Sequence, residues 1–120
     1  MAVKADIFSP NALGAILNRG SVAGLNVAII AGGANNQMAM PLDAQCVHDR
    51  GILYAPDYVI NAGGIINVGL EYLGTASLDE VNARIDAIPL RLQSIWQESE
   101  ADSEPAAFVA DRMAQKLIGR

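Results

Sequence analysis

A chain of 120 residues suits one domain, able to bury roughly two-thirds of its unfolded surface. The hydrophobic share is 52% and aromatics only 5%, so the apolar mass is mostly Ala, Ile, Leu and Val, which fill buried parallel strands and their covering helices. A net charge of −5 with eight scattered Lys and Arg argues against a nucleic-acid partner. The single cysteine, Cys46, excludes an internal disulfide and suits a reducing, cytoplasmic setting. No stretch approaches the roughly twenty apolar residues of a membrane span, and no secretory pattern follows Met1.

Ala5-Asp6-Ile7-Phe8 reads as a first short strand, stopped by Ser9-Pro10 because proline lacks the ladder donor. Asn11 is placed to cap a helical turn from Ala12 to Leu17, which Asn18-Arg19-Gly20 would close. Val27 to Ala31 is apolar on both faces, the mark of a central parallel strand, and runs into Gly32-Gly33-Ala34-Asn35-Asn36-Gln37. A helix over about Leu42 to Asp49 ends at Gly51, and Ile52-Leu53-Tyr54 forms a third strand broken at Pro56. Short strands with helical connections predict right-handed crossovers and a parallel sheet, hence an α/β fold.

Asn61 to Leu73 reads as a helix despite Gly63-Gly64. Leu78, Val81, Ile85, Ile88, Leu92 and Ile95 then alternate steps of three and four, a narrow apolar seam that fits a helix laid across a domain. Asp79 and Glu80 favour the positive end of its dipole, and Pro89 predicts a kink or break. Glu98 to Glu104 reads as a polar loop, with Ser103-Glu104-Pro105 as a cap and first turn. The last helix carries Phe108, Val109, Met113 and Leu117 on one side.

Ligands of open parallel sheets bind beyond the carboxyl ends of the strands. Ser9 to Ala12, Gly32 to Gln37 and Ala55 to Gly64 all fall on that edge and are rich in amides or glycine. Any one would ordinarily be a plain turn; three on one edge point to a site. There is no G-x-G-x-x-G turn and no phosphate loop of the G-x-x-x-x-G-K-[ST] kind. Cys46 and His48 lie two apart and share no helix face, so a metal site is not expected; Cys46 reads as a small apolar core residue and His48 as a surface one. Asp57 suits a capping role better than a catalytic one.

ADIFSPNALGA (Ala5 to Ala15), AGGANNQ (Ala31 to Gln37) and YAPDYVINAGGIINV (Tyr54 to Val68) closely resemble consecutive motifs of the glutamate/leucine/phenylalanine/valine dehydrogenases, in that family's order and spacing. Val109 to Ala114 resembles the family's tail, so the likeness spans essentially the whole chain. It implies the second half of a Rossmann-like domain: residues 1–76 as a partial NAD(P)-binding unit, and residues 77–120 as C-terminal helices packing on it. It further implies reversible oxidative deamination of an L-amino acid to its 2-oxo acid and ammonia, with NAD favoured by closeness to the leucine/phenylalanine branch.

On this resemblance, Ser9, Pro10, Asn11 and Ala12 would line the nucleotide near its ribose and nicotinamide. Ala31, Gly32 and Asn35 would lie beside the nicotinamide, and Asn36 would help hold the substrate carboxylate. Asn61 would open the helix whose residues face the substrate and would itself belong to the substrate site. The family usually carries Cys where this chain has Asn11. Ile65 and Val68, three apart on one helix face, match positions that line the side-chain pocket, and Val68 stands where glutamate-specific members place a hydroxyl. Two aliphatic walls would leave a charged side chain desolvated and unpaired, so leucine, valine or phenylalanine is the expected substrate. Without the resemblance both residues would read as core.

The family's catalytic lysine and aspartate belong to its N-terminal domain, and Lys4 and Asp6 fall outside those motifs, so no catalytic residue is expected here. Three readings follow: a fragment of a full dehydrogenase, inactive by itself; a stand-alone binding or assembly module; or a subunit completed by a separate N-terminal half. The first is favoured. The partner is a small amino acid or 2-oxo acid, and an unpaired sheet edge with the high apolar fraction predicts self-association.

Overall fold

The structure, a computed structural model, describes residues 3–74 and 77–119. The expected boundary after residue 76 adjoins residues 75 and 76, which lie outside the described residues.

Three short strands, β1 (Ile7–Phe8), β2 (Ile29–Ile30) and β3 (Leu53–Tyr54), form a parallel sheet in the order β1-β2-β3. Ile7 faces Ile29, which in turn faces Leu53. The fold is therefore α/β. Slanted bonds carry the pairing past the strand ends: Ala31 N–H donates to Phe8 C=O at 3.0 Å and Ala55 N–H to Ile30 C=O at 2.9 Å. A further parallel bridge joins Leu17 to Met38, so the segments leaving β1 and β2 stay side by side.

That pairing overturns the helix expected over Ala12 to Leu17. Ala15 N–H donates to Asn36 C=O at 2.7 Å and Leu17 N–H to Gln37 C=O at 2.9 Å, so these backbone groups are satisfied sideways. The helix begins where it was expected to close: α1 (Arg19–Ala23) is capped by Asn18, whose Oδ1 accepts from Gly20 and Ser21 N–H, while Ser21 Oγ accepts from Asn18 N–H. Next, α2 (Asp43–Asp49) ends before Gly51, whose φ of +65° suits glycine.

After Pro56 comes one helical turn, α3 (Asp57–Ile60), and then α4 (Gly63–Leu73). Asn61 therefore closes α3 instead of opening the longer helix, a correction to its expected place. Pro56 starts the turn early with its fixed φ, and Gly63-Gly64 weaken helix continuity where the two helices meet.

The long α5 (Leu78–Asp102) starts at Ser77, whose Oγ accepts from Glu80 N–H at 3.2 Å. It continues through Pro89 and includes Glu98 to Asp102, expected as loop. Those acidic residues are held as helix by Arg112 of α6 (Ala106–Ile118), which pairs with Glu98 and Asp102 at 2.7 Å each and with Glu104.

Two apolar clusters hold the elements. Leu17, Val22, Leu25, Ile30, Val47, Ile52 and Tyr54 pack on one side of the sheet. Ala55, Val59, Leu92, Ile95, Ala106, Val109 and Ala110 join α3, α5 and α6. Trp96 Nε1 donates to Tyr54 C=O at 2.7 Å and pins α5 to β3. Cys46 is half-buried against the first cluster, and His48 is half-buried too. Among the described residues no helix is long and apolar enough to cross a membrane.

Candidate functional site

The loops after β1 and β2 close on each other at glycine. A Cβ on Gly32 would lie 2.2 Å from Pro10 O and 2.5 Å from Pro10 N, so only hydrogen fits. Ala34 N–H donates to Pro10 C=O at 2.9 Å, and Gly33 N–H donates to Asn11 Oδ1 at 2.8 Å. Asn11 Nδ2 reaches back to Ser9 C=O and Ser9 Oγ. Ser9, Pro10, Asn11 and Gly32 thus belong to one network, with Ala12 exposed beside it and Ala31 half-buried beneath.

The third segment joins through amides. Asn61 Nδ2 donates to Asn35 Oδ1 at 2.5 Å and to Gly33 C=O at 3.3 Å. On this assignment the Asn35 Nδ2 donor and the Asn61 Oδ1 acceptor make no hydrogen bond among the described residues. A donor beside an acceptor matches a primary carboxamide, which offers the reverse pair.

Asn36 adopts φ +52°, a conformation asparagine tolerates better than most residues, and its side chain is exposed. The chain bends there. Asp57 braces the same turn, its Oδ2 accepting from Gln37 N–H at 2.9 Å and its Oδ1 from Tyr58 N–H at 2.7 Å. This is a positioning role across two segments, wider than the local cap expected.

Ile65 and Val68 are 72% and 59% exposed on α4, whose packing partner is α5. Neither is core. Tyr72, 89% exposed, extends the same face, four residues beyond Val68. Sequence reasoning passed over Tyr72, although the 65/68/72 spacing signals it. No described hydrogen bond joins this stripe to Asn35 or Asn36; Asn61, just before α4, is the link.

Two grooves lie elsewhere. One of about 440 Å³ runs between α2, β3, α5 and the start of α6, and another of about 460 Å³ lies among α3, α4, α5 and α6. Neither is lined by Asn11, Gly33, Asn35 or Asn61. Burial, then the charge of Asp57, pushes the Tyr54 hydroxyl well above its ordinary range. Partial burial, then a hydrogen bond from Tyr58 Oη to Asp111 Oδ1 at 2.8 Å, does the same to Tyr58. Both stay protonated near neutrality, so neither serves as a general base.

The model of the glutamate/leucine/phenylalanine/valine dehydrogenase family matches residues 1–116. The chain belongs to this family. It is 40% identical over 116 residues to a leucine dehydrogenase of Thermoactinomyces intermedius, covering 97% of this chain and 31% of that protein. It is 42% identical over 113 residues to a valine dehydrogenase of Streptomyces coelicolor, covering 94% and 31%. The crystal structure of L-tryptophan dehydrogenase from Nostoc punctiforme superposes with a TM-score of 0.90 at 39% identity, covering 98% of this chain and 35% of that one. The chain therefore spans about a third of the length of its dehydrogenase relatives.

Proposed function

We propose that these 120 residues form the nicotinamide and substrate-pocket edge of an NAD-dependent, cytoplasmic dehydrogenase of aliphatic or aromatic L-amino acids. In this reading, residues 1–76 are the second half of its Rossmann-like unit and residues 77–120 the helices that pack on it. The observation that carries the reading is the amide edge of Asn11, Gly33, Asn35 and Asn61, followed at once by an exposed aliphatic face on α4.

The cofactor, when bound, supplies the hydride acceptor. Asn35 and Asn61 orient its carboxamide, and the backbone of Gly32 and Gly33 gives close approach without a side chain in the way. Ser9, Pro10, Asn11, Ala12 and Ala31 shape the surface along the neighbouring ribose. Asn36 contributes to holding the substrate carboxylate. Ile65 and Val68 offer an apolar wall to the substrate side chain, where a distal charge would be desolvated without a partner. Deamination also requires a base and an activated water, which this edge does not supply. The segment expressed by itself is therefore expected to yield no NADH from leucine.

The test joins this chain in frame to the preceding part of the Thermoactinomyces intermedius leucine dehydrogenase and follows NADH formation. Turnover of leucine, valine or phenylalanine above that of glutamate supports the reading. A folded chimera that neither binds NADH nor turns over would overturn it.

A further inference from the structure

Gln37 is fully buried, with 0% of its surface exposed, at the end of a turn whose other polar side chains are open to solvent. Its Nε2 donates to Gly32 C=O at 2.7 Å and to Ala34 C=O at 2.9 Å, using both amide hydrogens on the turn itself. Its backbone N–H donates to Asp57 Oδ2, and its C=O accepts from Leu17 N–H. One residue thus ties the turn to the segment after β1 and to the start of α3. Its Oε1 is buried with no partner among the described residues, so the side chain sits there at an energetic cost that its donors must offset.

The two carbonyls it holds flank Gly33, whose N–H meets Asn11 and whose C=O meets Asn61. Asn35 follows directly, and Asn36 then takes its positive φ. We propose that Gln37 is a positioning residue for nicotinamide recognition: from beneath, it fixes the Gly32–Asn35 turn so that the Asn35 amide is presented at the edge. It touches no ligand and acts through the turn. The inference rests on the dehydrogenase reading for its ligand, but the mechanical part stands apart from it.

The experiment accordingly has two arms. In the first, hydrogen exchange is compared between the 120-residue chain and its Gln37→Met variant, which keeps shape and loses both donors. The hydrogen-bonded turn amides, Gly33 and Ala34, should exchange about tenfold faster, with α6 unchanged; unchanged exchange at both overturns the proposal. In the second, the chimera is titrated with NADH and with ADP-ribose, which lacks only the nicotinamide. Gln37→Met should weaken NADH about tenfold and leave ADP-ribose as it was. Equal losses for both ligands, or no loss for either, would refute a nicotinamide-specific role. A parent chimera that binds neither ligand defeats the dehydrogenase reading, while the exchange arm still decides the positioning role. If Gln37→Met does not fold, Gln37→Glu replaces it, because its protonated acid retains one donor. Turn exchange relative to the parent should then slow as pH falls, and a flat ratio overturns the proposal.

Discussion

Replacing Gly32 by Ala tests whether the two loops are truly in backbone contact. The new Cβ would stand 2.2 Å from Pro10 O, 2.5 Å from Pro10 N and 2.6 Å from Pro10 Cδ, against an optimal carbon separation of about 3.5 Å. These are ring and main-chain atoms of a buried residue, not the end of a side chain that can swing away. Relief requires the loops to part by about 1 Å, at an overpacking cost of about 1–3 kcal/mol. That shift also breaks the Ala34–Pro10 and Gly33–Asn11 hydrogen bonds, each worth about 1 kcal/mol. A total of about 3–5 kcal/mol should lower the melting temperature by more than about 10 °C. Gly33→Ala is the control, because its Cβ would meet only Asn11 Oδ1, at 3.2 Å, which can yield. It should cost less than about 1 kcal/mol. Thermal unfolding followed by circular dichroism decides the matter: a Gly32→Ala melting point within about 2 °C of the parent would refute the contact.

Ile65→Ala and Val68→Ala should each change stability by less than about 0.5 kcal/mol, since both side chains are exposed, yet lower kcat/KM for leucine about tenfold in the chimera; a stability loss above about 2 kcal/mol in urea melts would show them to be core after all. Tyr54 and Tyr58 have hydroxyl pKa values raised above 10.0 in the fold, so their contribution is whole below that pH and is lost as pH rises past it. Urea midpoints should therefore fall between about pH 9 and about pH 11, and Tyr58→Phe should fall less; an equal fall would remove Tyr58 from the account. Among the described residues β1 pairs only with β2, and Ile7 and Val3 are 55% and 79% exposed. The 120-residue chain should self-associate at micromolar concentrations, and a clean monomer in light scattering would contradict this.

What was legible in the sequence divides by the range of the interactions. Val27 to Ala31 and Ile52 to Tyr54 announce strands locally, through apolar runs closed by glycine or proline, and the sheet contains two residues of each, Ile29–Ile30 and Leu53–Tyr54. Residues 12–17 do not, because their partners are Asn36 and Gln37, some twenty positions on, and local capping chemistry says nothing of them. Glu98 to Asp102 looks like loop because it is polar; Arg112, on the next helix, neutralises it. The site edge was visible as three polar segments after strand ends. The meeting of Asn61 with Asn35 was not, since 26 residues separate them and only the packed sheet brings them together. Gln37 was read as the end of a turn, and nothing in its neighbours signals that it alone of the turn's polar side chains is buried.

The same long-range bonds make the amide edge and the aliphatic stripe of α4 one mechanical unit. The Gly32–Pro10 contact fixes the turn to β1, and Asn61 fixes the turn to the segment entering α4. A substitution at Asn61 should therefore disturb both ligands, whereas one at Ile65 disturbs only the substrate. Asn61→Ala removes bonds to Asn35 Oδ1 and Gly33 C=O at a half-buried position, a loss of about 1 kcal/mol, or about fivefold in affinity. In the chimera, the Kd for NADH and the KM for leucine should both rise by about that factor. If only one of them moves, the edge and the stripe are independent, and the bond between Asn61 and Asn35 does not couple them.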